Sequence, residues 1–391
     1  MNLVAFKMLV GDRAKYLGII MGLTFASLLI TQQAAIFIGL MERTYNAITD
    51  VGLPDIWVMD PKVQFIDDVK PIQDTKLLAV RGIQGVAWAM PLYKGLLKAR
   101  LDNGNFQTCI VLGLDDTTLV GGPPRMAKDK QGRDMGAIAD LRQADSIIVD
   151  LVGASTKLAR EIPGSKKTRP LQVGEVMELN DHRATVVGIC EVARTFQSQP
   201  VIYTTYSRAT TFAPRERRLL SFVLVKAKPG QDLKALCKTI EASTGLSAYT
   251  KDGFVKLTYD YYFQHTGIPI NFFIAIALGF IVGTAVAGQT FYNFTLDNLR
   301  HFGALKAMGA GNGMLLRMIV LQSLMVGAIG YGLGVGLAST FGFLSSKTEL
   351  AFKMPWQLLL MTAGAVLAIC VMSAMLSIVK VMRLEPAMVF K

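Results

Sequence analysis

Charge is scarce in this chain. Asp, Glu, Lys and Arg make up 18% of its 391 residues, against about 25% in an average soluble domain. The deficit is concentrated in four runs, Tyr16–Met41, Gly267–Leu296, Met318–Ser346 and Met354–Val379, none of which holds a charged side chain. Each reaches the roughly 20 apolar residues that a bilayer-spanning helix needs. With no ionisable group inside them, the runs argue against an ion-coupled carrier or pump, whose relays need one. Histidine is nearly missing. His182, His265 and His301 are the three present, and they fall on both sides of the second run, which excludes a shared zinc site. The four cysteines are Cys109, Cys190, Cys237 and Cys370. The last lies in an apolar run, and the other three are widely spaced, so no disulfide framework emerges and buried free thiols are expected. The chain contains no G-x-x-x-x-G-K-[ST], which excludes a Walker A phosphate cradle, and no G-x-S-x-G nucleophile elbow. Asp55, Asp60, Asp67 and Asp68 lack the alternating spacing of a calcium loop and are expected to be a solvated face. We therefore expect no catalytic residue, no metal and no cofactor on this chain.

What is present sets an orientation. Lys7, Arg13 and Lys15 precede the first run; Arg300, Lys306 and Arg317 join the second to the third; Lys380, Arg383 and Lys391 follow the fourth. With four spans these segments share one side, and their positive charge assigns that side to the cytoplasm. The same flanks supply about half of the net charge of +12. The remainder forms no basic block, so nucleic acid is not an expected partner. The first run is too long for the apolar region of a secretory signal, about 7–15 residues, and is expected to remain as an anchor. The fold class is thus a membrane protein: four transmembrane α-helices, with a large α+β extracytoplasmic domain between helices 1 and 2. Expected segments are a basic amphipathic helix on the inner leaflet at 1–15, spans at 16–41, 267–296, 314–346 and 354–380, the outer domain at 42–266, a connector at 297–313, and a tail at 381–391. Leu3, Phe6, Leu9 and Val10 form the apolar face assigned to the N-terminal helix.

Local signals fill in the outer domain. GVAWAMPLYKGLLKARL and NFQTCIVLGL flank Asp102-Asn103-Gly104, a hairpin in which Asn-Gly favours a primed turn. VGEVMELNDHRATVVGI is a second hairpin turning at Asn180-Asp181. SFVLVKAK, Pro229-Gly230 and QDLKALCKTIEASTG read as strand, turn and helix, and another helix is expected over Thr75–Ile83. Residues 121–136 read as a long exposed loop. In the spans, small residues recur at four-residue spacing: Gly18/Gly22, Gly279/Gly283, Gly330/Gly334 with Gly332/Gly336, and Ser373/Ser377. Such faces let helix backbones approach closely, within one chain or across a dimer.

The connector carries a more specific signal. Leu299, Phe302 and Leu305 lie on one helical stripe that Met308 extends, with Arg300 and Lys306 off the seam; such a helix can dock its apolar stripe into a partner's groove. Gly309, Gly311 and Gly313 would stop it, one of them in a left-handed position. No strand precedes this glycine cluster, so it fails as a dinucleotide-binding fingerprint. The stretch R-H-F-G-A-L-K-A-M-G-A, residues 300–310, resembles the R-[EQ]-[IFY]-G-x-L-[KR]-A-[ILM]-G-A pattern of FtsX/MacB-type ABC transporter permeases, where it is the cytoplasmic coupling helix. His301 departs from that pattern, standing where many relatives have Glu. The layout of one span, a large outer domain and three spans is similar as well, as is the ending Leu384-Glu385-Pro386-Ala387. Pro54-Asp55-Ile56-Trp57-Val58-Met59 looks most like the DevC-type permeases of tripartite exporters.

This resemblance implies a non-enzymatic permease subunit, FtsX-like and MacB-like, acting by mechanotransmission in the bacterial inner membrane with its large domain periplasmic. It implies a homodimer, an ABC ATPase on a separate chain carrying ATP and Mg, an HlyD-like membrane-fusion adaptor and a TolC-like outer-membrane protein. ATPase coupling then falls to Leu299, Arg300, Phe302, Gly303, Leu305, Lys306, Met308 and Gly309, and the cargo is an amphiphile such as a glycolipid. A lipoprotein-releasing permease and a non-transporting regulator of a wall hydrolase are the alternative readings.

Overall fold

The computed structural model describes residues 2–162, 167–214, 220–345 and 348–382. The closing motif at Leu384 to Ala387, with Arg383 and Lys391, lies outside them. In chain order the first elements are α1 (Asn2–Gly11), α2 (Arg13–Thr49), β1 (Ile56–Met59), α3 (Asp74–Arg81), β2 (Val86–Arg100), β3 (Phe106–Leu114) and β4 (Arg125–Met126). Next come β5 (Ser146–Asp150), α4 (Leu151–Ser155), β6 (Arg160–Glu161), β7 (Thr168–Arg169), β8 (Val176–Leu179), β9 (His182–Glu191), β10 (Val201–Thr205) and α5 (Tyr206–Phe212). The last are β11 (Phe222–Ala227), α6 (Leu233–Thr244), β12 (Ser247–Thr250), α7 (Lys251–His265), α8 (Ile268–Asp297), α9 (Leu299–Ala307), α10 (Asn312–Ser345) and α11 (Trp356–Met382). The chain divides into two compact units, Met1–Leu40 with Thr266–Lys391, and Met41–His265.

In the membrane unit the four apolar runs form α2, α8, α10 and α11, each long and apolar enough to cross a bilayer. Glycine decides how closely they pack. A Cβ on Gly283 of α8 would stand 2.3 Å from the Ala26 Cβ of α2, and one on Gly330 of α10 would stand 2.6 Å from the Leu23 Cβ. A Cβ on Gly334 would meet the Ser27 Cβ at 2.5 Å and the Thr24 carbonyl oxygen at 2.7 Å. Helix α2 is therefore seated between α8 and α10, while α11 closes the bundle, its Cys370 Sγ 2.5 Å from a Cβ placed on Gly327. Several polar side chains find partners inside the bundle, where a bilayer offers no water to replace them. Ser323 Oγ donates to the Cys370 carbonyl at 2.8 Å, Tyr331 OH donates to the Leu359 carbonyl at 3.1 Å, and Thr31 pairs with Thr362 at 3.3 Å.

The extracytoplasmic unit is built on one ten-stranded sheet with path β12-β1-β11-β2-β3-β10-β5-β9-β4. Strand β8 pairs with both β2 and β9, which closes β2, β3, β10, β5, β9 and β8 into a ring. Strand β2 serves both halves: Val86 to Leu92 pair with β11, and Ala99 and Arg100 pair with β8. The four residues of β1 are all buried, and alternation sends them to two different cores. Ile56 and Val58 join Val80, Val223 and Ile240 on the face covered by α3 and α6. Trp57 and Met59 join Phe222, Leu224 and Phe254 on the other, with the Trp57 ring 5.5 Å from each of Phe222 and Phe254.

Local chemistry explains the turns. Asn180 and Asp181 both have positive φ, 49° and 65°, as a two-residue primed turn demands. The first hairpin turns differently from expectation. Gly104 N–H donates to the Leu101 carbonyl at 2.9 Å, Leu101 N–H donates to the Asn105 carbonyl at 2.8 Å, and only Gly104 is left-handed. That is a three-residue loop with a bulge, which the extra Asp102 makes room for. Segment 121–136 is not simply an exposed loop, because Arg125 and Met126 pair with Glu191 and Cys190 as β4 and Ala127 is fully buried.

Candidate coupling site

Asn298 both ends α8 and starts α9. It is buried, and its amide Nδ2 donates to the Phe294 carbonyl at 2.9 Å, so the elbow between the two helices is pinned by one side chain. Helix α9 stops in a Schellman arrangement: Gly309 N–H donates to the Lys306 carbonyl at 3.1 Å and Ala310 N–H to the Leu305 carbonyl at 3.0 Å. Gly309 takes φ +97° with open space around a would-be Cβ. Glycine is needed there for its backbone conformation, and the cluster is a helix stop, not a phosphate loop.

The expected stripe on α9 divides: Leu299, Phe302 and Leu305 turn inward, against expectation, whereas Met308 stays exposed. Phe302 is 0% exposed and shares one core with Ala5, Leu9, Phe291, Phe294, Leu315, Met318 and Ile319, with Leu299 and Leu305 packed against it. Gly303 is buried as well. An apolar stripe on a short amphipathic helix is claimed by the largest apolar surface within reach, and here that surface is the helix bundle of the same chain. What faces outward is Arg300, His301, Ala304, Ala307 and Gly309, together with Met308 at 76% exposure. Lys306 is half-buried.

The N-terminal helix is likewise docked instead of lying free. Ala5 and Leu9 of α1 are fully buried, whereas Phe6, expected on the apolar face, is 45% exposed. Leu9 takes the expected side, and Ala5 takes the place of Phe6, with Gln322 Nε2 of α10 donating to the Ala5 carbonyl at 2.8 Å. Lys15, at the start of α2, forms ion pairs with Asp12 at 3.1 Å and with Asp297 at the end of α8. Neither Gln322 nor Asp297 was among the expected site residues. A lone amide inside an otherwise apolar run was the signal available for Gln322.

Gly18, Gly22, Gly279, Gly283, Gly330 and Gly334 all face a neighbouring helix of the same chain, whereas Gly332 and Gly336 have nothing within 4 Å. All four cysteines are free and buried, and burial pushes the Cys109 thiol up to about 12. The acidic residues after the first span are engaged locally. Asp55 accepts from Lys226 Nζ at 2.7 Å and from the Ala227 N–H at 3.1 Å, Asp67 pairs with Lys94, and Asp68 pairs with Lys70 at 2.7 Å. No metal-binding cluster of His, Cys, Asp and Glu occurs among the described residues. Trp57 in the Pro54–Met59 stretch is a core residue of β1, 1% exposed.

Fold and site together define a polytopic membrane protein with a large extracytoplasmic domain inserted between its first and second spans. Residues 17–243 match the MacB-like periplasmic core domain and residues 271–386 match the FtsX-like permease C-terminal domain. The chain belongs to the FtsX/MacB-type family of ABC transporter permeases. An uncharacterized ABC transporter permease of Methanocaldococcus jannaschii is 25% identical over 197 residues, which are 48% of this chain and 49% of that relative. The chain thus spans about half the length of the curated relative it matches. Among solved structures, the periplasmic region of MacB from Actinobacillus actinomycetemcomitans is 14% identical, covers 55% of this chain and 95% of that one, and has a TM-score of 0.37. The extracellular domain of the transporter YknZ from Gram-positive bacteria is 11% identical, covers 51% and 99%, and has a TM-score of 0.33.

Proposed function

We propose that this chain is the membrane subunit of an ABC exporter, working as a homodimer with two copies of a separate ATPase. ATP-driven closure of the ATPase pair presses on α9, and the spans carry that displacement to the extracytoplasmic domain. That domain then expels an amphiphile, such as a glycolipid, through an HlyD-like adaptor and a TolC-like duct, in the manner of the DevC-type permeases it resembles. ATP and Mg belong to the partner chain. Membership of the family supports the class of machine, and the two-faced geometry of α9 supports the mechanism. A helix rooted in the bundle through Phe302 and presenting Arg300, His301, Ala304 and Met308 outward has a path by which pressure on one face reaches the helices packed on the other.

The docking face follows from the same geometry. Contact with the ATPase falls to Arg300, His301, Ala304, Ala307 and Met308, while Leu299, Phe302 and Leu305 transmit force inward. The test is co-purification with the cognate ATPase, comparing wild type with Arg300→Glu and Met308→Asp. Loss of an exposed anchor from an interface centre costs on the order of 2 kcal/mol, or more than tenfold in affinity, and both variants should lose retention and stimulated hydrolysis. If both retain the ATPase and stimulate it as wild type does, α9 is not the coupling helix.

A further inference from the structure

Two polar contacts tie the N-terminal segment to the helices that precede and follow α9. Before the helix, Lys15 of α2 pairs with Asp297, the last residue of α8. Beyond it, Gln322 of α10 donates to the carbonyl of Ala5 in α1. Between these points Ala5 and Leu9 share a buried cluster with Phe302. The Gln322 contact is costly to keep. The side chain is 0% exposed and its Oε1 has no hydrogen-bond partner among the described residues, so half of a buried amide stays unsatisfied in an apolar helix. Leucine would fill the same volume without that penalty. An unsatisfied intramembrane amide calls for an explanation other than stability.

We propose that α1 and the start of α2 clamp the two helices that carry α9: Lys15, Asp297 and Gln322 are positioning residues that hold α8 and α10 around the buried Phe302, so that pressure on the outer face of α9 moves the spans instead of tilting α9 in place. The proposal rests on the reading of α9 as the ATPase contact. The Lys15–Asp297 pair is partly exposed, and such pairs add little to stability. Its removal should register in coupling, not in the fold. The same holds for Gln322→Leu, which removes an unsatisfied polar atom and should leave thermal stability unchanged or raised.

The experiment uses the full chain in lipid nanodiscs with its cognate ATPase. Wild type is compared with Gln322→Leu, Lys15→Glu and the charge-exchanged pair Lys15→Glu/Asp297→Lys. Amide hydrogen exchange over residues 2–11 reads the clamp, and ATPase retention is measured separately from stimulated hydrolysis. In Gln322→Leu, α1 should exchange about tenfold faster or more. In Gln322→Leu and Lys15→Glu, stimulated hydrolysis should fall by about fivefold or more while retention and melting temperature hold. The exchanged pair should recover stimulation. Wild-type stimulation in Gln322→Leu or Lys15→Glu, with the ATPase bound, overturns the clamp and leaves the coupling role of α9 standing. Failure of the wild type itself to retain the ATPase overturns both readings. Equal loss of retention and melting temperature marks a merely structural role and also overturns the clamp.

Discussion

Identical residues at identical spacing have opposite roles on α10. Gly330 and Gly334 press against α2, whereas Gly332 and Gly336, two residues away on the same helix, face open space. Gly334→Val should destabilise the protein by about 1–3 kcal/mol through overpacking, lowering its melting temperature in detergent, while Gly336→Val should leave it unchanged. A second residue-scale prediction concerns Asp150, which is buried, caps α4 by accepting from the Gly153 N–H at 2.7 Å, and accepts from the Val201 N–H at 2.7 Å. Burial raises its pKa, with both N–H donors opposing the shift. A carboxyl raised in the folded state favours folding most below its unfolded value, about 3.9, and that contribution is lost as pH rises through the folded value. Asp150→Asn should flatten the fall in melting temperature over that interval. Asp150→Ala should cost about 2 kcal/mol, because it orphans two buried donors. Unchanged melting curves for both variants would refute this account.

At the scale of elements, α9 shows why a stripe in sequence does not name its partner. Its apolar residues were legible as a face, and its glycine stop was legible as punctuation. The direction of the face was not, because any apolar surface satisfies an amphipathic helix equally well on paper. Phe302→Asp is therefore a poor probe of docking. It places a carboxylate in a closed apolar cluster and should cost about 3 kcal/mol or more, seen as aggregation or a lowered melting temperature before any ATPase is added. Normal folding of Phe302→Asp with selective loss of the ATPase would return Phe302 to the outer face. The hairpins follow the same pattern. Asn180-Asp181 supplied its turn type from local preference alone, whereas the turn at Asp102 to Gly104 depended on the register of β2 and β3, in which Arg100 faces Phe106.

For the whole molecule, charge is expected to fix orientation. Single cysteines placed at Lys130 and at Ala304, on a background in which the four buried native thiols stay unlabelled, should react with an impermeant maleimide from opposite sides of the membrane. Labelling of both from one side would contradict the positive-inside assignment. Deep burial favours the neutral thiol and hinders reagent access, and all four native cysteines are buried.

The four spans, the large inserted domain and the family itself were determined by the sequence. Bilayer crossing needs a long uncharged run, and the 300–310 stretch carries its own pattern; neither depends on what the rest of the chain does. The sharing of β1 between two cores was not legible, because all four of its residues are apolar and buried and no polar alternation marks its faces. Tertiary structure alone decided which glycines touch, which side of α9 is inward, and that α1 docks through Ala5 onto Gln322. Those outcomes depend on helix rotation and on what lies across a gap of a few ångströms, and packing forces and hydrogen bonds are too short-ranged for residue spacing to settle them.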